Sequence, residues 1–294
     1  MRASTLPACL VLSLSLLDGN AQGMLPSPPA RVPYAITTNS TVDVASSSIS
    51  SGAAPRRAPL IVIGFMGGRV RADNTIHREA SVASELQHEY ANEIYAKIFA
   101  NHNGRRAYLD VLKALDANHD GFLNPAEKRN ARIIIYGHSW GASETVNLAR
   151  RLDRVGIAVL LTVQVDSVAK AGEEDGSIPA NVKQAVNFYQ RTGLLHGRSS
   201  IRAVDPQTTQ ILGNFRLSYK HHHVQCSRYP WFARTFMGPH IEIENDPRVW
   251  NWIESAIEAE LADRSRVEIT FAPPPGNNRQ PPIPLQSMEM TSPE

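Results

Sequence analysis

This 294-residue sequence contains few cysteines and has little net charge. It contains only Cys9 and Cys226, which excludes a disulfide-stapled mini-fold and a cysteine-based zinc site. Lys plus Arg is 30 and Asp plus Glu is 28, so the net charge is +2. A charge this small argues against nucleic acid as the main partner. The hydrophobic content of 42% and the charged content of 20% indicate a globular domain with a core.

The first residues have the pattern of a secretory signal peptide. An apolar run from Leu6 to Leu17 follows Arg2, and small residues follow that run. The possible cleavage positions are Gly19, Ala21 and Gly23. The run is shorter than the roughly 20 apolar residues of a transmembrane helix. We therefore expect a signal peptide over residues 1–23, no stable membrane span, and a secreted or periplasmic protein.

Two further segments have compositions that disfavour regular structure. Residues 24–58 are rich in Pro, Ser, Thr and Ala and lack amphipathic periodicity, which predicts a disordered linker. Residues 272–294 are rich in proline, which predicts a disordered tail. The domain that carries the chemistry is therefore expected over residues 59–271.

Within that domain, strand-like and helix-like patterns alternate. The predicted strands are Leu60–Phe65, Ile94–Ala100, Arg132–Tyr136, Ile157–Val165, Ser200–Val204 and Phe215–Tyr219. The predicted helices are 74–93, Arg105–Leu115, Ser143–Leu152, Val182–Gln190 and Val249–Leu261. Nearly continuous apolar strands separated by helices are typical of a parallel sheet covered on both faces. The sequence thus predicts an α/β fold with a mostly parallel sheet and helices on both sides.

A candidate nucleophile lies between one of these strands and the helix that follows. Residues 137–141 read Gly-His-Ser-Trp-Gly, which fits the pattern G-x-S-x-G. The motif directly follows the RIIIY strand, as a nucleophile elbow requires. Glycines permit the tight turn that exposes the Ser139 hydroxyl. The N–H of Trp140, at the start of the next helix, is placed to stabilise an oxyanion.

From Leu60 to Ala262 the sequence resembles the α/β-hydrolase superfamily, in particular its lipase- and esterase-like serine hydrolases. The resemblance rests on the elbow and on the Gly-Phe-Met-Gly-Gly run at 64–68 after the first core strand. It implies that the loop after that strand donates a second oxyanion N–H, from Phe65, or from Met66 if the register differs by one. The family's usual histidine before these glycines is replaced by Ile63.

The resemblance also implies an acid and then a histidine later in the chain. Asp166 ends the strand-like run 157–165, and we favour it as the acid. Asp205 follows the Ser200–Val204 run, in the commoner family position, and is its rival. His240, shortly before the last predicted helix in a loop marked by Gly238 and Pro239, is the candidate base. The other histidines considered are His196 and the surface-like tract His221–His223.

A second motif lies at residues 116–127, which match the EF-hand pattern D-x-[DN]-x-[DN]-G-x₅-E. This stretch resembles the EF-hand family over twelve residues only. The implied calcium ligands are Asp116, Asn118, Asp120, the Phe122 carbonyl, Asn124 and Glu127. The exiting helix is short and no second loop accompanies it, so we expect one structural calcium ion and none in the chemistry.

Taken together, these motifs predict an exported serine hydrolase. It is expected to cleave a small-molecule or lipid ester, or a related acyl bond. The alternative is a non-enzymatic calcium-binding protein on a catalytically dead hydrolase scaffold. A carbohydrate- or surface-binding module has little support, because the tryptophans are expected to pack against other elements. Those tryptophans are Trp140, Trp231, Trp250 and Trp252.

Overall fold

The computed structural model describes residues 58–262 and the backbone of Glu289–Met290. The predicted signal peptide over 1–23 lies outside the described residues. So do all of the predicted linker 24–58 except its last residue, and all of the predicted tail 272–294 except Glu289–Met290.

Nine strands and six helices make up the described part of the chain. The strands are β1 (Leu60–Met66), β2 (Ile94–Ala100), β3 (Ile133–His138), β4 (Val159–Val165), β5 (Ser177–Ile178), β6 (Val182–Gln190), β7 (Arg202–Ala203), β8 (Gln210–Leu217) and β9 (Glu289–Met290). The helices are α1 (Arg78–Glu89), α2 (Gly104–Leu115), α3 (Pro125–Arg129), α4 (Trp140–Asp153), α5 (Trp231–Glu244) and α6 (Pro247–Ala262).

The main sheet has the strand order β2-β1-β3-β4-β6-β8-β9. Its first six strands run parallel to their neighbours, and only β9 pairs antiparallel, along β8. β5 and β7 form a separate parallel pair. This is the mostly parallel α/β architecture that the sequence predicts. Because parallel strands end at the same edge, the residues after β1, β3 and β4 lie near one another.

Helices cover both faces of the sheet, with a separate apolar cluster on each face. One cluster joins alternate residues of β1 and β3 to α2 and α4. The other joins the remaining residues of these strands to α1 and α6 and includes the buried Trp250. All seven residues of β1 are buried, which explains why this strand appears as a continuous apolar run in the sequence.

The prediction of a helix over Val182–Gln190 was wrong. These residues form β6, which lies between β4 and β8 in the sheet. Six consecutive residues at its end, Ala185–Gln190, are buried. A strand buried on both faces shows no alternation of polar and apolar residues, so its pattern does not distinguish it from a helix.

The region before the last helix also differs from expectation. The sequence suggested a loop around Gly238 and Pro239, but both lie within α5, where Met237 has the non-helical φ of −124°. The proline therefore marks a kink between two helical pieces. The expectation that all four tryptophans pack was wrong for Trp231, whose exposed fraction is 70%.

Among the described residues, none of the helices combines the length and the apolar character needed to cross a bilayer.

Candidate active site

Ser139 lies in a sharp turn between β3 and α4. Its backbone has φ 56° and ψ −124°, a left-handed value that costs energy for a residue with a side chain. The Ser139 N–H donates to the Val165 carbonyl at 2.9 Å, and its own carbonyl accepts from the Val168 N–H at 3.2 Å. The turn is thus fastened to the end of β4 and to the loop beyond it.

Glycine at position 141 is required by close backbone packing behind the turn. A Cβ on Gly141 would lie 2.2 Å from the Phe65 carbonyl oxygen. No side chain fits at that distance, so the glycine lets α4 approach β1 directly. This packing sets the direction in which α4 leaves Ser139.

Asp166 directly follows β4 and is fully buried. Its Oδ1 accepts the Gly197 N–H at 2.7 Å and the Gln190 N–H at 3.2 Å. Its Oδ2 accepts the Gln190 side-chain amide at 2.8 Å and lies 2.6 Å from Nδ1 of His240. The carboxylate is therefore held from several sides, with one oxygen directed at an imidazole.

His240 lies in α5, three residues after the kink at Met237. It is 4% exposed. Ser139 is 6% exposed, so this residue is buried where the sequence predicted an exposed hydroxyl. Burial, followed by the nearby His138 ring, lowers the pKa of His240 below its ordinary value, and Asp166 opposes this shift only in part. An imidazole with a lowered pKa is neutral at neutral pH, as a proton acceptor must be.

His138 joins the α5 segment to the turn. Its Nε2 lies 3.1 Å from the His240 carbonyl oxygen, and the two rings are 4.4 Å apart. Because His138 immediately precedes Ser139, these contacts bring His240 to the turn. Burial alone would lower the pKa of His138, but Glu244 and Glu79 outweigh it and raise that pKa to about 9.

The rival residues lie in other surroundings. Asp205 is in the turn after β7, where its carboxylate accepts the Gln207 N–H at 2.9 Å. His196 is exposed, and Nδ1 of His223 lies 2.8 Å from Glu242. His221 and His222 are exposed.

The loop after β1 also lies close to Ser139. Trp140 is the first residue of α4. Phe65 lies inside β1 and pairs with β2 and β3, whereas Met66 is the last residue of the strand. A Cβ on Gly67 would lie 3.2 Å from Cβ of Ser139. The loop that begins at Gly67, directly after Met66, therefore borders the Ser139 side chain.

The residues of the 116–127 loop form a tight, backbone-bonded turn. Asp116 Oδ2 accepts the Gly121 N–H at 3.0 Å, and Asp120 Oδ1 accepts the Phe122 N–H at 2.8 Å. Asn124 and Glu127 cap α3 reciprocally. Gly121 has φ 83°, Leu123 enters the core, and Asn118 donates to Asp120 at 2.7 Å.

One buried side-chain oxygen of this loop has no hydrogen-bond partner. Asp116 is 5% exposed and its Oδ1 has no hydrogen bond. In a preformed metal site the ligand atoms lie close together. Among the described residues, the carboxylate oxygens of Asp116, Asp120 and Glu127 do not all lie within 4.8 Å of one another. The loop thus offers a suitable donor set whose carboxylates bond to backbone amides.

Several residues of this region were not identified from the sequence. Gln190 and Gly197 hold Asp166, and a Cβ on Gly197 would lie 2.2 Å from the carbonyl carbon of Asp166. Glu79 and Glu244 flank His138 at 3.6 Å. The sequence gives no local signal for any of them, because each contact joins segments that are distant along the chain.

No protein-family model matches this sequence, and no curated protein matches it. Some solved structures match this chain, with low sequence identity and low TM-scores. A cutinase-like protein from Cryptococcus sp. shares 13% identity over 69% of this chain and 95% of its own, with a TM-score of 0.36. RedJ shares 9% identity over 74% of this chain and 96% of its own, with a TM-score of 0.32.

A YdeN-like hydrolase from Pectobacterium atrosepticum shares 14% identity over 64% of this chain and 93% of its own, with a TM-score of 0.31. These values are too low to assign an activity or a substrate to the present chain.

Proposed function

We propose that this protein is a serine hydrolase that cleaves an ester or a related acyl bond. The observation that carries the proposal is the pair of contacts around His240. Its Nδ1 lies 2.6 Å from a buried carboxylate, and its carbonyl and ring contact the residue that precedes Ser139. A serine on a strained turn, an imidazole and an orienting acid are the parts that nucleophilic acyl transfer needs.

In the proposed reaction, Ser139 Oγ attacks the acyl carbonyl carbon and its proton passes to His240. The leaving alcohol takes that proton as its bond to the acyl carbon breaks. Water then attacks the carbonyl carbon of the acyl-enzyme and gives one proton to His240. His240 returns this proton to Ser139 Oγ as the bond to the acyl group breaks and the carboxylic acid leaves. Asp166 holds the Nδ1–H side of the ring, so that the other nitrogen is free to accept the proton.

The oxyanion is proposed to bind to the Trp140 N–H and to an N–H of the β1 loop. Helix α4 begins at Trp140, and the positive end of its dipole favours negative charge there. Of the two donors considered for the loop, Met66 is favoured over Phe65, because Phe65 pairs on both sides within the sheet.

The substrate is proposed to be a small-molecule or lipid ester. Three exposed aromatic side chains, Trp231, Phe232 and Phe236, lie on α5 before the kink that precedes His240. Exposed apolar groups on the helix that carries the proposed base favour an apolar acyl chain. A cavity of about 520 Å³ adjoins the kink and is lined by Gly238 and Pro239, but Ser139 and His240 do not line it.

A structural calcium ion is proposed for the 116–127 loop. Asp116, Asn118, Asp120, Asn124, Glu127 and the Phe122 carbonyl would hold it. Supporting observations are the buried, unpartnered Asp116 Oδ1 and the positive φ of Gly121. The ion would stiffen the connection from α2 to the nucleophile strand. Export, proposed from the N-terminal pattern, suits a site of this kind because extracytoplasmic calcium is high.

The reaction is tested by labelling the folded protein with a fluorophosphonate, which reacts with activated serines. We expect wild-type protein to be labelled and Ser139→Ala to be unlabelled. Ser143→Ala is the matched control, since Ser143 is a buried serine on α4 that bonds to Glu173. Labelling that survives Ser139→Ala contradicts the assignment. A folded wild-type protein that takes no label, hydrolyses no ester and binds calcium supports the calcium-binding alternative.

A further inference from the structure

A second cluster of titratable side chains lies beside His138, the residue that precedes Ser139. His77, Glu79 and Glu244 each direct one ligand atom into the same space, with all three atoms within 4.8 Å of one another. Glu79 is 0% exposed and Glu244 is 3% exposed. His77 immediately precedes α1, Glu79 lies in its first turn, and Glu244 ends α5.

Two buried carboxylates this close together need compensation. Glu244 is well partnered, since His77 Nδ1 contacts it and the Tyr229 hydroxyl donates to its Oε1 at 2.8 Å. Glu79 has weaker partners. Its Oε1 accepts a long hydrogen bond, 3.4 Å, from the Gly67 N–H and lies 3.6 Å from His138 Nδ1. Its Oε2 is buried and has no hydrogen bond. A fully buried carboxylate with an orphaned oxygen is costly unless another group binds it.

His138 directs its second ring nitrogen at the same two carboxylates. Its Nδ1 lies 3.6 Å from Glu79 Oε1 and 3.6 Å from Glu244 Oε2. That separation is too long for a hydrogen bond. It is close to the spacing of about 3.3 Å between neighbouring ligand atoms of a tetrahedral zinc ion with bonds of about 2.0–2.1 Å.

The hydrogen bonding of His138 suits a metal ligand. Its Nε2 lies 3.1 Å from the His240 carbonyl oxygen, an acceptor that fixes the proton on Nε2. In the metal-free protein the two carboxylates keep a proton on Nδ1 as well. A bound metal ion would displace that proton and take the Nδ1 lone pair. Metal-ligating histidines usually donate their other ring N–H to a carbonyl or a carboxylate in this way.

We propose that His77, Glu79, His138 and Glu244 form a binding site for one divalent zinc-type ion. Two carboxylates neutralise the charge of the ion, and two imidazole nitrogens complete four ligands of the kind that zinc takes. The Tyr229 hydroxyl supports the Glu244 ligand from outside. His77, whose side chain is 15% exposed beside its buried partners, marks the access route.

The ion would join three elements that are distant along the chain. It ties the start of α1 to the end of β3 and to α5, the helix that carries His240. Its predicted effect is to stabilise the fold and to fix the α5 segment. The site is separate from the 116–127 loop, whose oxygen donors suit calcium instead.

The test measures zinc binding to the full chain by equilibrium dialysis and calorimetry, with calcium in excess to saturate the loop. All proteins carry His221→Asn and His222→Asn, which remove the exposed histidine tract as a rival zinc site. We expect one zinc ion per chain and a higher melting temperature. Glu79→Gln and His77→Gln should each weaken binding at least about tenfold. His77→Gln leaves both buried carboxylates in place, so it remains informative if Glu79→Gln does not fold.

Glu242→Gln is the matched control, because Glu242 is buried on the same helix but bonds to His223 and Val224. It should bind zinc like the parent. Replacing zinc by cobalt should give the intense visible absorption of a tetrahedral site. Absence of zinc binding by the parent, or equal binding by His77→Gln and the parent, overturns the proposal. The readout is binding, so this outcome is distinguishable from a failure of the proposed hydrolase activity.

Discussion

Nδ1 of His240 lies 2.6 Å from Oδ2 of Asp166, and both side chains are buried. The two residues are separated by 74 positions in the chain. The end of β4 supplies the carboxylate and a kinked helix supplies the ring. In a site with little water, such a contact fixes both the orientation of the imidazole and the position of its proton.

Replacing Asp166 by Asn should therefore lower kcat for ester hydrolysis by roughly 10³- to 10⁴-fold, because the ring loses the acceptor that orients it. The measurement is steady-state hydrolysis of an activated ester, with thermal melting to show that the variant is folded. Asp205→Asn is the control and should retain activity. Loss of activity in Asp205→Asn, with Asp166→Asn unaffected, would make Asp205 the acid.

Gly141→Ala should destabilise the protein by at least about 3 kcal/mol. The new Cβ would lie 2.2 Å from a backbone oxygen of β1, so a strand or a helix must move. For a domain of this size the melting temperature should fall by about 6–12 °C.

Gly238→Ala is the matched control, because a Cβ there meets nothing within 4 Å. Its melting temperature should change little or rise slightly. If Gly141→Ala melts like the wild type, the close approach of α4 to β1 is incorrect.

Calcium should stabilise the protein through the 116–127 loop. At a concentration about 100 times Kd, a ligand that binds only the folded state contributes about 2.7 kcal/mol. We expect a higher melting temperature in calcium than in chelator, and loss of that increase in Asp116→Asn and Glu127→Gln. Asp153→Asn, an exposed carboxylate at the end of α4, should keep it. An equal increase in Asp116→Asn would place the ion elsewhere.

The thiol of Cys226 should react slowly with iodoacetamide. Burial, together with the charges of Glu242 and Glu244, raises the pKa of Cys226 to about 11 from 9.0. Because the pKa is raised by about two units, the folded protein at pH 8 has about 100-fold less thiolate than an exposed cysteine would have. The rate should increase about tenfold for each pH unit up to pH 10.

Peptide mass spectrometry measures this alkylation at Cys226 itself. The same protein in urea is the control and should react faster at pH 8, because unfolding removes the burial. A rate that levels off below pH 9 in the folded protein would contradict the raised pKa.

Local sequence determined those features whose physics is local. The sharp turn at Ser139 is recognisable because a turn with this backbone and this close packing needs glycines within a few positions. The tight turn at 116–127 is recognisable because its Asp, Asn and Gly residues alternate along a short stretch of sequence and bond to nearby backbone amides. The buried strand β1 is recognisable because burial on both faces demands a continuous apolar run.

Tertiary structure decided everything that depends on distant segments meeting. β6 resembled a helix until its neighbours β4 and β8 buried it on both faces. Residues before the last helix resembled a loop, although Pro239 only kinks α5. Asp166 and Asp205 both follow strand-like segments, and the fold places His240 beside Asp166. Glu79, His138 and Glu244 meet only because α1, β3 and α5 pack at one point. Sequence patterns record local periodicity and cannot register such packing.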